Sequence, residues 1–156
     1  MPLIALALAA ALCPAIGKPA PAFSIPVANG DSLSLRAELA RKRPLVISFF
    51  RYDCEPCKKE LPALQRLAAE WKGKVSFALI HVGETETRAR ALLDQLRVTL
   101  PWALDRFGLQ SEKYCADSLP TLYLIDAKGT VRAVAKGGQG DVQSLLRAQL
   151  AKLGTF

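Results

Sequence analysis

Two cysteines separated by two residues, Cys54-Glu55-Pro56-Cys57, stand where the hydrophobic period of the chain switches. Before them, Pro44-Leu45-Val46-Ile47-Ser48-Phe49-Phe50 is an apolar run rich in strand formers. After them, Leu61, Leu64, Leu67 and Ala68 recur at helical spacing. The junction therefore predicts a buried strand feeding directly into a helix whose first turn carries both thiols. Adjacent helical turns bring two such sulfurs within disulfide range. The first thiol also sits where helix amides and the macrodipole favour a thiolate. This arrangement points to thiol–disulfide chemistry.

The rest of the chain alternates between the two periods. Pro19 and Pro21 restrain their predecessors to extended angles, so residues 18–23 read as an extended lead-in. Residues 23–27 read as an edge strand, Asn29-Gly30-Asp31 as a turn, and residues 33–41 as a short helix or turn. The first central strand covers residues 45–52. The helix after it runs over about residues 54–71, contains Pro62, which should kink it, and ends at Gly73. Residues 75–82 form an almost uninterrupted apolar run, as expected of a parallel strand buried on both faces. Ala89, Leu92, Leu93 and Leu96 line one side of a helix over residues 84–96, and residues 106–114 read as a shorter one. Residues 121–125 and 131–135 flank Asp126-Ala127-Lys128-Gly129, a hairpin pattern. Asp141 is the expected N-cap of a last amphipathic helix over residues 141–153. Alternating strands and helices followed by a hairpin and a helix predict an α/β three-layer sandwich.

A chain of 156 residues suffices for one domain with a sizeable core. Its formal net charge of +7 is spread along the sequence, with Arg41-Lys42-Arg43 and Lys58-Lys59 the densest runs. No aromatic residues interleave with these runs, so no nucleic-acid platform is expected. Residues 3–12 are an Ala/Leu-rich apolar stretch. It is too short to span a bilayer, which takes about 20 residues, and it fits the apolar part of a secretory leader. No Lys or Arg precedes it. The expectation is a signal segment over residues 1–15, cleaved near Ala15, and a domain over residues 16–156. Export to the periplasm or another extracytoplasmic space follows, with a cytoplasmic protein bearing an apolar arm as the alternative.

Four stretches together resemble the thioredoxin superfamily, specifically the TlpA/ResA-like thiol oxidoreductases within the wider AhpC/TSA-related redoxins. Gly17-Lys18-Pro19-Ala20-Pro21-Ala22-Phe23 is similar to the lead-in segment of that family. Residues 54–62, Cys-Glu-Pro-Cys-Lys-Lys-Glu-Leu-Pro, match its active-site helix. His81-Val82-Gly83-Glu84 resembles the turn after its next strand. Residues 119–129 look like its cis-proline loop and hairpin. The resemblance covers residues 16–153. It implies a thioredoxin-like α/β/α sandwich around a central mixed β-sheet, acting as a monomer without a soluble cofactor. It also implies disulfide-bearing protein substrates, for example apocytochrome c, and a membrane or periplasmic thiol donor. No Gly-rich dinucleotide fingerprint is present. Two departures bear on the substrate surface. Asp53 stands where the family usually has Trp, and Phe50-Arg51-Tyr52 replaces an aromatic-Ala-Ser stretch.

Cys54 is the expected nucleophile and Cys57, one turn inside the helix, the resolving thiol. Lys58, Lys59 and Arg51 favour the Cys54 thiolate, whereas Asp53 and Glu55 oppose it. Glu60, three residues beyond Cys57, is either a proton-exchanging carboxylate, as the resemblance implies, or a helix-surface residue. The resemblance places Pro120 as a cis-proline facing the cysteines. With Leu119, Glu55 and Pro56 it would form the substrate-binding surface. His81, Trp71 and Trp102 read as structural. Cys115 reads as a small apolar filler at a helix end, with a second redox thiol as the alternative, and Cys13 as part of the leader. A zinc site would need four ligands, and only Cys13, Cys115 and His81 could join the pair, so no metal site is expected. Two other functions fit a CxxC chain. One is a peroxiredoxin-like peroxidase using Cys54 with Arg51 three residues before it. The other is a metal-binding module on the same fold.

Overall fold

The computed structural model describes residues 12–27 and 31–154. The apolar stretch over residues 3–11 and the Asn29-Gly30 part of the expected turn lie outside them. The elements follow in the order β1 (Ser24–Pro26), β2 (Ser32–Ser34), α1 (Leu35–Leu39), β3 (Leu45–Phe50), α2 (Glu55–Glu70), β4 (Ser76–Val82), α3 (Glu86–Gln95), β5 (Trp102–Asp105), α4 (Leu109–Lys113), β6 (Thr121–Ile125), β7 (Val131–Lys136) and α5 (Val142–Lys152).

A five-stranded sheet in the order β5-β4-β3-β6-β7 forms the centre. β3 pairs parallel with β4 and antiparallel with β6. β5 extends the parallel side, and β7 the antiparallel side. The sheet is therefore mixed, as the resemblance implies. Side chains alternate across its two faces with the strand period of two. Val46 and Phe50 of β3, Phe77 and Leu79 of β4, and Leu122 and Leu124 of β6 join the core shared with α2, α3 and α5. Leu45, Ile47 and Phe49, with Ala78, Ile80, Tyr123 and Ile125, join a second core under the β1–β2 hairpin, α1 and Tyr114. The result is three layers, with the longer helices on one face and short elements on the other.

Two elements differ from the expectation. Residues 32–34 pair with β1 before the chain turns into α1, whereas a helix or turn was expected from residue 33. β5 was not foreseen. Its four residues, Trp-Ala-Leu-Asp, are too few to show a period and lie behind Pro101, yet they align with Leu79–Val82 of β4. Cys115 is also not a free apolar filler, because it is disulfide-bonded to Cys13.

The helix α2 runs without interruption through Pro62. Pro62 has no N–H to offer the carbonyl of Lys58, a loss outweighed by burial of the inner stripe. Leu61, Leu64 and Leu67 are 0–1% exposed, and fully burying one leucine stabilises the fold by roughly 1.5–3 kcal/mol.

Candidate active site

β3 ends at Phe50, and four residues later Cys54 opens α2 as its N-cap, with extended backbone angles. Its sulfur accepts a hydrogen bond from the Cys57 N–H at 3.3 Å. Cys54 and Cys57 are joined by a disulfide, with their α-carbons 5.2 Å apart. Cys54 is partly exposed and packs at the margin of the α2-side core, whereas Cys57 is fully buried within it. The pair thus offers one sulfur to a partner and shields the other.

Four of the charged neighbours pair off. The Arg51 guanidinium donates to both carboxylate oxygens of Asp53, from Nε at 3.1 Å and from Nη2 at 3.0 Å. Lys58 Nζ donates to Glu55 Oε1 at 2.7 Å, and that hydrogen bond holds the Glu55 carboxyl below its ordinary range. Two of the three cations expected to favour the thiolate, Arg51 and Lys58, are therefore coupled to the two acids expected to oppose it. What remains for the Cys54 thiolate is the Lys59 cation and the N-terminus of a 16-residue helix. Arg51, the residue on which the peroxidase alternative rests, is held by Asp53.

Glu60 is buried at 8% exposure, not on the helix surface. It accepts a hydrogen bond from the hydroxyl of Ser48 at 2.8 Å. Ser48 is the one polar residue of β3 and faces α2, because it shares its side of the sheet with Val46 and Phe50. Burial pushes the Glu60 carboxyl above its ordinary pKa, and the Ser48 hydrogen bond partly counters this. Glu60 is spaced three residues from Cys57, on the same helix face.

Across from the helix start lies the turn before β6. The Leu119–Pro120 peptide bond is cis. Pro120 is buried and Leu119 half-buried. Gly138 joins the two halves of the site. A β-carbon built on it would lie 2.6 Å from Pro56 Cβ and 3.5 Å from Pro120 Cδ. The backbone after β7 thus fits into the gap between the CxxC proline and the cis-proline. Gly138 has φ +68°, which a side chain rarely adopts. The chain is also tied there by the Gly137 N–H donating to the Pro120 carbonyl at 2.8 Å.

His81 plays a larger part than its sequence context suggests. It is fully buried, and its Nε2 accepts the Tyr52 N–H at 3.3 Å, two residues before Cys54. Its ring stacks on Tyr52 and meets Phe50 edge-on. Arg88 lies over the other partner in this stack, 5.2 Å from the Tyr52 ring, and donates to its hydroxyl at 2.9 Å. Burial pushes the imidazole pKa down, which keeps it a neutral acceptor. Ser48, His81 and Gly138 were not expected as site residues. A lone polar residue inside an apolar strand was the only sequence signal for any of them.

The AhpC/TSA family model matches residues 16–134. Thiol-disulfide oxidoreductase ResA of Bacillus thuringiensis subsp. konkukian is 30% identical over 125 residues, which is 80% of this chain and 71% of that protein. Thioredoxin-like protein YneN of Bacillus subtilis is 29% identical over 124 residues, covering 78% of this chain and 71% of its own. Among solved structures, a putative thiol:disulfide interchange protein DsbE from Chlorobium tepidum superposes with a TM-score of 0.79 at 23% identity, over 89% of this chain and 97% of that one. The chain therefore belongs to the AhpC/TSA family, as a thioredoxin-fold protein of the ResA-like thiol–disulfide oxidoreductase kind.

Proposed function

We propose that this protein reduces disulfides of exported proteins through Cys54 and Cys57. The observation that carries this reading is the division of roles at the start of α2, with a partly exposed sulfur on Cys54 and a fully buried one on Cys57. In the reduced protein, the Cys54 thiolate attacks one sulfur of a substrate disulfide and expels the other as a thiolate. Cys57 then attacks Cys54 Sγ, the substrate leaves with its second thiol, and the Cys54–Cys57 disulfide remains. Two electrons pass from the pair to the substrate. A membrane or periplasmic dithiol donor returns them and becomes a disulfide itself.

Within this reading, Glu60 exchanges the Cys57 proton. A carboxyl with a raised pKa is better matched to a thiol than an ordinary one is. Leu119, Pro120, Glu55 and Pro56 receive the substrate chain in this reading, which suits an extended peptide pairing with backbone beside Pro120. Extracytoplasmic placement is part of the proposal. Among the described residues, no helix is long and apolar enough to cross a membrane.

Cys57→Ser tests the assignment. This variant should attack and then stall, accumulating mixed disulfides through Cys54 that reductant releases. Adducts through Cys115, or none at all, would remove the division of roles. The equilibrium of the wild-type pair against glutathione then decides direction. A reductase stays oxidised at glutathione ratios that reduce an oxidase.

A further inference from the structure

Cys13 and Cys115 lie 102 residues apart in sequence, yet their α-carbons are 5.5 Å apart and the residues are disulfide-bonded. Each is bonded to the other and neither to Cys54 or Cys57, which form their own disulfide. The segment after Cys13 is fastened along its length. The Gly17 N–H donates to the Val131 carbonyl at 2.8 Å, and the Val131 N–H to the Lys18 carbonyl at 2.9 Å. The Ala20 N–H donates to the Gly129 carbonyl at 2.8 Å. The Pro21 carbonyl accepts from the Tyr114 hydroxyl, and the Ala22 carbonyl from Lys113 Nζ at 3.2 Å. Residues 13–22 therefore form a strap. It begins at Cys115, crosses the β6–β7 turn, and returns to residues 113 and 114.

The turn under the strap leads into the substrate loop. Cys115 has φ +49°, outside the range its side chain prefers. Its carbonyl accepts from Lys136 Nζ, which also pairs with Asp117 at 3.4 Å. Five residues later comes Pro120. We infer that Cys13–Cys115 is a second, structural disulfide that clamps the N-terminal strap to this turn, and that any leader is cut before Cys13 and not near Ala15. It forms by thiol–disulfide exchange with a disulfide oxidant of an oxidising compartment. The thiolate of one cysteine displaces a thiolate from the oxidant, the other cysteine displaces the second, and two electrons pass to the oxidant. The inference is independent of the activity of Cys54 and Cys57.

The chain has four cysteines, so the full-length Cys54→Ser/Cys57→Ser variant isolates this pair. It is reduced, then equilibrated with oxidised glutathione, with and without urea. The expected product in buffer is a monomer lighter by two hydrogens. It has no alkylatable thiol, carries no glutathione, and gives one crosslinked pair of peptides containing Cys13 and Cys115. Holding the pair together should make the crosslink resist about 10²-fold more reductant in buffer than in urea. Glutathione on both cysteines, two free thiols, a dimer through Cys13, or equal resistance in urea would each overturn the inference. The exported wild-type chain should begin before Cys13, and an N-terminus after Ala15 would overturn the processing part.

Discussion

Gly138→Ala puts a methyl group into the contact that joins the two halves of the active site. Two costs add. At φ +68° an L-residue is disfavoured by about 1–2 kcal/mol, offset by about 0.4–1 kcal/mol from the lower entropy of the unfolded alanine chain. The new β-carbon would also lie 2.6 Å from Pro56 Cβ, and overpacking of this kind costs about 1–3 kcal/mol. The neighbour is a proline ring in the first turn of α2, not the far end of a flexible side chain, so it yields only by moving the helix start. Gly140 separates the two costs. It has φ +79° and nothing within 4 Å of its built β-carbon, so Gly140→Ala carries the backbone cost alone. Urea unfolding followed by tryptophan fluorescence should show Gly138→Ala less stable than Gly140→Ala by about 1–3 kcal/mol, the overpacking cost alone. The same variant should slow reduction of a model disulfide, because displacing Pro56 displaces the turn between the cysteines, whereas Gly140→Ala should not. Equal stability and equal rates for the two variants would refute the claim that Gly138 sets the spacing between Pro56 and Pro120.

Glu60→Gln should slow disulfide exchange by about 10²-fold and remove one limb of the pH–rate profile; superimposable profiles would reduce Glu60 to packing. The same variant has a stability signature. The folded-state pKa of Glu60 is raised, so its favourable contribution is present at acid pH and is lost as pH rises through the folded value. Gln should therefore gain on wild type in urea titrations as pH rises toward neutral, and parallel curves would contradict the burial argument. For His81 the folded pKa is lowered from 6.5, so its contribution is present above that value and declines as pH falls below it. His81→Gln should flatten this limb, and an unchanged acid limb would show that another group causes it. Brief alkylation of the reduced protein near neutral pH should label Cys54 ahead of Cys57, since only Cys54 is both partly exposed and at the helix start; labelling in the reverse order would exchange their roles.

Whatever is local and periodic was legible in the order of the residues. The thiol pair at a strand–helix junction, the buried β3 and β4, the β6–β7 hairpin and the Asp141 cap of α5 all depend on residues near one another in the chain. Whatever depends on which residues come to lie opposite one another was settled by the packing of distant segments. β5 is a strand because β4 offers an edge, not because four residues carry a pattern. Glu60 at three residues from Cys57 could face water or core, and the apolar face of the sheet with Ser48 in it set the answer. Arg51, Asp53, Glu55 and Lys58 gave opposing signs in sequence, and only their pairing showed that they neutralise one another around Cys54. His81 supports the turn before Cys54 from another strand. Gly138 fills a gap between two prolines far from it in sequence. Cys13 and Cys115 read as a leader residue and a filler, because a pairing across 102 residues has no local signal and exists only once the strap has folded back onto the turn.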